Sequence, residues 1–283
     1  MRTLGCLDPG GSISIDAIAI QLLNKAATMT RACAGQVTKF CIVEWSAKIN
    51  EVRSQLDPYT THFVLPNLPS IITPEQENVY YSEILPQTRI RTIAASLHDH
   101  KSLRRCVADN IIKVDKYLLV GGNSKGMETT SLSSLEASRI IRGETDTEVW
   151  GVANPNDRTS PESVAKKLDA GIQGIITQPF FSSHALEVFE SYPRYPGVSF
   201  IAGLALPTRK KDIMFWLELL GQPDLVEDPL TRSHIEFFGS SDPSSLSWAE
   251  NELESLKGST IDGVHYMPMK NIDDLLTLIT NPL

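Results

Sequence analysis

The sequence predicts a single (β/α)₈ barrel, on three observations. Eight short β-type apolar runs recur along the 283 residues, helix-start signals fall between them, and no linker-like stretch divides the chain. Continuous apolar runs suit strands covered on both faces, and strands alternating with helices call for parallel pairing through right-handed crossovers. About eight such units fit a closed barrel better than an open sheet. The expected organisation is an N-terminal helical extension over 1–36 followed by the barrel over 37–283.

The runs are read in order. Phe40-Cys41-Ile42-Val43-Glu44-Trp45 is the first, His62-Phe63-Val64-Leu65 the second, and Ile90-Arg91-Thr92-Ile93-Ala94-Ala95-Ser96 the third. Tyr117-Leu118-Leu119-Val120 is the fourth and Val149-Trp150-Gly151-Val152-Ala153 the fifth. Gly174-Ile175-Ile176-Thr177, Val198-Ser199-Phe200-Ile201-Ala202 and Gly263-Val264-His265-Tyr266 complete the set. Between them, Thr73-Pro74-Glu75-Gln76, Ser160-Pro161-Glu162 and Asp242-Pro243 place a capping residue before a proline, and Ser133 with Glu136 forms a capping box. The stretch from Gln222 to Asp242 is long and polar, and reads as a lid or an extra loop.

Composition narrows the function. With 41% hydrophobic and 21% charged residues, the chain can bury a sizeable core. A net charge of −8 argues against a general nucleic-acid or anionic-membrane binder, and no apolar run approaches the ~20 residues that span a bilayer. Cys6, Cys33, Cys41 and Cys106 form neither a zinc pattern nor a disulfide framework, so a reducing, cytoplasmic setting is expected. The basic, acid-free stretch between Asp16 and Glu44 reads either as a mitochondrial presequence or as a helix covering the barrel bottom. The expected partner is a small-molecule substrate, with a homo-oligomer compatible; neither nucleic acid nor a membrane is expected, and no metal-ligand cluster stands out.

In such a barrel chemistry sits at the carboxyl ends of the strands. Those positions are Glu44, then Pro66 and Asn67, then Ser96 and His98, then Gly121, Gly122 and Asn123. They continue with Asn154 and Asn156, Gln178, Gly203, and finally His265, Tyr266 or Met267. Glu44 closes an apolar strand; a carboxylate buried there has a raised pKa and suits a general acid, whereas one reaching water is ordinary. The Gln178 amide can donate and accept at once, as a heterocycle edge requires. Phe180 and Phe181 either stack on a planar ligand or anchor the next helix. The run Gly121-Gly122-Asn123-Ser124-Lys125-Gly126 is either a phosphate-cradling turn or a flexible one, and is not a Walker A sequence.

The run from Lys166 through Asp169-Ala170-Gly171 to Ile175-Ile176-Thr177-Gln178-Pro179-Phe180-Phe181 resembles the signature of the methylenetetrahydrofolate reductase family. Ile42-Val43-Glu44-Trp45, Phe200 to Pro207 and Gly263-Val264-His265-Tyr266 resemble its first, seventh and last strands more loosely. The resemblance implies a barrel with FAD at the strand ends, NAD(P)H as donor, and hydride transfer to a methylene-folate. It implies Glu44 as proton donor, Gln178 and Phe181 at the substrate, and Lys167, Gly122 and Asn123 at the flavin. Gly121-Gly122-Asn123 stands where the family has Arg-Gly-Asp, so the flavin-contacting arginine is absent and the aspartate is a neutral asparagine. Ser46-Ala47 replaces a double proline, Ala94 or Ala95 a histidine, and the loop around Asn154 to Ser160 lacks the family's tyrosine and histidine. Three functions follow as expectations: a divergent flavin-dependent oxidoreductase, an inactive relative serving as a binding or assembly protein, and an unrelated phosphate-binding barrel enzyme.

Overall fold

The computed structural model describes residues 39–65, 89–108, 114–121, 132–241 and 243–280. Eight parallel strands close on themselves in the order of the sequence. They are β1 (Phe40–Glu44), β2 (His62–Leu65), β3 (Arg89–Ala94), β4 (Lys116–Val120), β5 (Glu148–Ala153), β6 (Gly174–Pro179), β7 (Ser199–Ala205) and β8 (Gly263–Met267). Every expected run is therefore a strand, with ends displaced by a few residues. The third run stops at Ala94, and Ala95–Leu97 turns into a short 3₁₀ segment.

The helices are α1 (Ala47–Leu56), α2 (His100–Ala108), α3 (Ser134–Glu144), α4 (Ser160–Asp169), α5 (Ala185–Glu190), α6 (Lys210–Leu219), α7 (Pro229–Phe237), α8 (Ser245–Ser255) and α9 (Ile272–Thr280). The capping box of Ser133 and Glu136 opens α3 as expected. Three expectations need correction. Ser160 lies inside α4 rather than capping it, and its hydroxyl bonds the Tyr192 hydroxyl at 2.9 Å. The last long helix starts at Ser244, whose side chain accepts from Ser247 N, not at Asp242-Pro243. The stretch from Gln222 is not a bare loop: it holds a 3₁₀ turn over Pro223–Glu227 and then α7, capped by Asp228 ahead of Pro229. The N-terminal extension and Thr73–Gln76 fall outside the described residues.

Strand alternation divides the core. Phe40, Ile42, Val64, Ile90, Leu118, Trp150, Ile176 and Ile201 pack together inside the barrel. Intervening residues such as Val43, Phe63, Leu119, Ile175, Val264 and Tyr266 pack outward under the helices. This two-sided burial is why the strands read as continuous apolar runs.

The two ends of the interior differ. At the amino ends of the strands Lys116 Nζ donates to Glu148 at 2.7 Å, Trp150 Nε1 donates to the same carboxylate at 3.1 Å, and His62 pairs with Asp115. The Lys116 ammonium also lies 5.0 Å from the Trp150 ring. Burial works against the charge on Asp115, but the bond and charge of His62, with Lys116 nearby, outweigh it and lower its pKa. Trp150 fills this floor, and Phe40 meets it edge-on with ring centres 5.2 Å apart. Its register partner has to be glycine: a Cβ on Gly174 would stand 2.5 Å from the Trp150 ring. Gly174→Ala should therefore lower stability by about 1–3 kcal/mol through overpacking, read as a fall in the urea midpoint. Gly143→Ala, on a helix with nothing within 4 Å of the new methyl, should be neutral or stabilising. Equal effects of the two substitutions would mean that Trp150 does not fill the floor.

Candidate functional site

The carboxyl ends of the strands form the open end of the interior. Register stacks the inward residues in layers drawn from alternate strands. Ile42, Ile90, Trp150 and Ile201 form one layer, and Val64, Leu118, Ile176 and His265 the next. Above them come Glu44, Thr92, Val152 and Gly203, then Val120 and Met267 with Gln178 at the end of β6. Glu44, Val120, Val152 and Gln178 are partly exposed, whereas Ile42, Leu118, Trp150 and Ile176 beneath them are buried. Solvent reaches the barrel from this side.

Glu44 ends β1 on the inner wall. No side chain among the described residues pairs with its carboxyl, and burial pushes its pKa up from 4.5 to about 7. A lone carboxyl removed from water favours its neutral form. It is then half-protonated near neutrality, the condition in which one group can give a proton and recover it.

At Gln178 the strand departs from regular pairing. Register between β6 and β7 shifts between Ile176 and Pro179. Gly203 N donates to Thr177 Oγ1 at 2.8 Å, and a Cβ on Gly203 would stand 2.2 Å from the Thr177 carbonyl oxygen. The glycine is thus a requirement of close backbone approach. The Gln178 side chain is half-buried and makes no hydrogen bond among the described residues, so both its donor and its acceptor are available to a ligand.

The loop after Gln178 is held by a side chain whose role sequence reasoning missed. Asn156, buried in the β5–α4 loop, accepts from Phe181 N at 2.8 Å and Ser182 N at 2.9 Å through Oδ1. Its Nδ2 donates to the Pro179 carbonyl at 2.8 Å and to Asn154 Oδ1 at 2.9 Å. Asp228 takes the next residue: it accepts from Ser183 N at 3.0 Å and Ser183 Oγ at 2.8 Å while capping α7. Thr231 Oγ1 donates to the Phe181 carbonyl at 2.9 Å. The sequence signals were an asparagine just past a strand and the Asp228-Pro229 pair, and neither reveals its partner across the fold.

Two expected site residues lie outside the open interior. Phe181 is fully buried, packed with Trp45, Ile213 and Trp216 under the helices, and has no surface left for a ligand. It packs as an anchor of the loop, one of the two readings its sequence allows. Lys167 comes from α4 to the outer side of β5, where its methylenes pack 3.6 Å from the Cβ position of Gly151 and its ammonium donates to the Val152 carbonyl at 2.6 Å. Burial lowers its pKa. The structure thus brings Glu44 and Gln178 to the mouth, and Lys167 to the layer outside it. Gly122 and Asn123 lie outside the described residues.

No protein-family model and no curated protein sequence matches the chain. Among solved structures, the barrel is similar to an uncharacterized protein from Clostridium thermocellum that binds two copies of 5-methyl-5,6,7,8-tetrahydrofolic acid. That likeness has a TM-score of 0.56 at 17% identity, over 84% of this chain and 91% of that one. Looser likenesses are to 2,3-dimethylmalate lyase (TM-score 0.47, 12% identity, 93% of this chain and 84% of that one) and to tryptophan synthase from Pyrococcus furiosus (TM-score 0.42, 14% identity, 78% and 98%). At these identities the likeness shows the (β/α)₈ fold. No helix among the described residues is long and apolar enough to cross a membrane.

Two outcomes follow from the site's geometry. Because the folded state binds the Glu44 proton more tightly than the unfolded chain does, stability is lost as pH rises from 4.5 toward about 7. Glu44→Gln should raise the urea midpoint above pH 7 and lose that advantage below pH 4.5; equal midpoints throughout would mean that the carboxyl is solvated. Asn156→Leu strands two backbone N–H groups and should cost about 2–4 kcal/mol. Limited proteolysis should then cut between Pro179 and His184 first, and an unchanged cleavage pattern would show the clamp to be dispensable.

Proposed function

We propose that the mouth binds a reduced folate or a similarly planar nitrogen heterocycle, and that Glu44 delivers a proton to it. The observation that carries this reading is the Glu44 carboxyl on the inner wall of the open end, with its pKa pushed up to about 7 by burial. The free amide of Gln178 at the same end offers a donor and an acceptor to a ring edge. The likeness to a barrel that binds 5-methyltetrahydrofolate supports the ligand class. So does the sequence resemblance that runs from Lys166 to Phe181.

The finer reading is an oxidoreductase in which the heterocycle is reduced at the expense of NAD(P)H. FAD would supply the hydride relay in such an enzyme. Lys167, the described member of the implied flavin set, is already committed to the Val152 carbonyl on the outer side of β5. That geometry does not fit a flavin-holding lysine. The same observation favours a second reading, a relative that binds the heterocycle without turning it over.

Purified protein titrated with 5-methyltetrahydrofolate should show saturable heat by calorimetry, and a flat titration would remove folate from the ligand class. Added FAD separates the two readings: stable uptake with flavin absorbance supports the oxidoreductase, and no uptake leaves the binding protein. In an active enzyme Glu44→Gln should reduce turnover of the heterocycle by about two orders of magnitude. Wild-type turnover should decline as pH rises through about 7, since the proton donor is then lost. A rate that stays level across that range would remove Glu44 from the chemistry.

A further inference from the structure

We propose that His265 is a ligand-contacting residue of the mouth, and that with Glu44 it selects an uncharged planar ring carrying an N–H and a carbonyl side by side. This deepens the heterocycle reading above and rests on it for the location of the ligand.

The orientation of His265 follows from alternation. Val264 and Tyr266 on either side of it are fully buried in the outer core, so the imidazole faces inward. Its register partners, Ile42 on β1 and Gly203 on β7, face inward as well. Within its layer Val64, Leu118 and Ile176 are apolar and His265 alone is polar. The residue is 7% exposed, and neither Nδ1 nor Nε2 has a hydrogen-bond partner among the described residues. Packing alone would be better served by leucine, because two polar atoms shut away unsatisfied are costly. Burial lowers the imidazole pKa to about 3, so the ring is neutral and offers one donor and one acceptor.

Glu44 is its neighbour on the adjacent strand, one inward step above Ile42. In its neutral form the carboxyl presents O–H and C=O on one edge. That edge is the complement of a lactam, whose N–H and carbonyl pair with it in a cyclic, doubly hydrogen-bonded arrangement. Charge sharpens the choice. The described inward positions of the two upper layers are Glu44, Thr92, Val152, Gly203, Val120, Gln178 and Met267, and none is a cation. A phosphate or carboxylate brought to these layers would find no counter-charge among the described residues and would lose its hydration.

The test uses the full chain, with 5-methyltetrahydrofolate, lumazine and uracil as lactam probes and benzoate as a planar anion, measured by calorimetry. At least one lactam should bind, and benzoate should not. His265→Leu should weaken that binding about tenfold or more, and His265→Gln, which keeps a donor and an acceptor, should restore most of it. A urea midpoint for His265→Leu no lower than wild type excludes unfolding as the cause. Should that variant fold poorly, ¹⁵N-histidine spectra of the wild type decide: the His265 nitrogens must shift when the lactam is added, and static signals overturn the proposal. Folate binding that is equal in wild type and a folded His265→Leu removes His265 and leaves the heterocycle reading. His265-dependent binding of lumazine or uracil without folate binding keeps His265 and removes folate. Silence from every probe, or preference for benzoate, overturns both.

Discussion

Closure of eight parallel strands forces every second residue of each strand into one shared interior, and the rest of the molecule is arranged around that constraint. The interior has to be filled without voids at one end and kept open at the other. Trp150 fills the floor, at the expense of any side chain on Gly174, and Lys116 and Trp150 both donate to the Glu148 carboxylate at that end. Toward the other end the filling thins, from isoleucine and leucine to Glu44, Val152 and Gly203. Three polar side chains that no described side chain pairs with lie there: the carboxyl of Glu44, the imidazole of His265 and the amide of Gln178. A folded chain tolerates such groups in a confined space when another molecule can complete them.

Much of the barrel was legible in the sequence because burial on both faces leaves a plain trace. A strand flanked by packed neighbours inside and out must be apolar throughout, and Leu118-Leu119 or Ile175-Ile176 show it without reference to anything else. Glu44 was legible for the opposite reason, as a charge interrupting such a run at the end where barrels place their chemistry. Less accessible were features that depend on partners distant in the chain. Asp228 caps a helix in a stretch read as a loop, because the polar residues over Gln222 to Asp242 as a whole outweigh the single proline device. Phe181 could be read as a stacking ring or as an anchor because sequence does not say which side of the loop it takes. Lys167 followed a family pattern, while its actual partner is a backbone carbonyl fifteen positions away.

The loop beyond Gln178 shows how the molecule stiffens a region it leaves open to solvent. Asn156 supplies from a single amide what two turns of regular structure would otherwise provide, and Asp228 extends the hold from the far side of the chain. Gln178 therefore stands on a rigid base, although its own amide is unbonded. Rigidity behind a free polar group lowers the ordering cost of binding.

The tryptophan-sealed floor also limits traffic. A vessel with one door cannot pass goods through from front to back. Two bulky reactants that must both reach the inner wall take turns at the same opening, unless they lie stacked in it together. Were two such molecules to use this barrel, its shape would set the order of their arrival and departure.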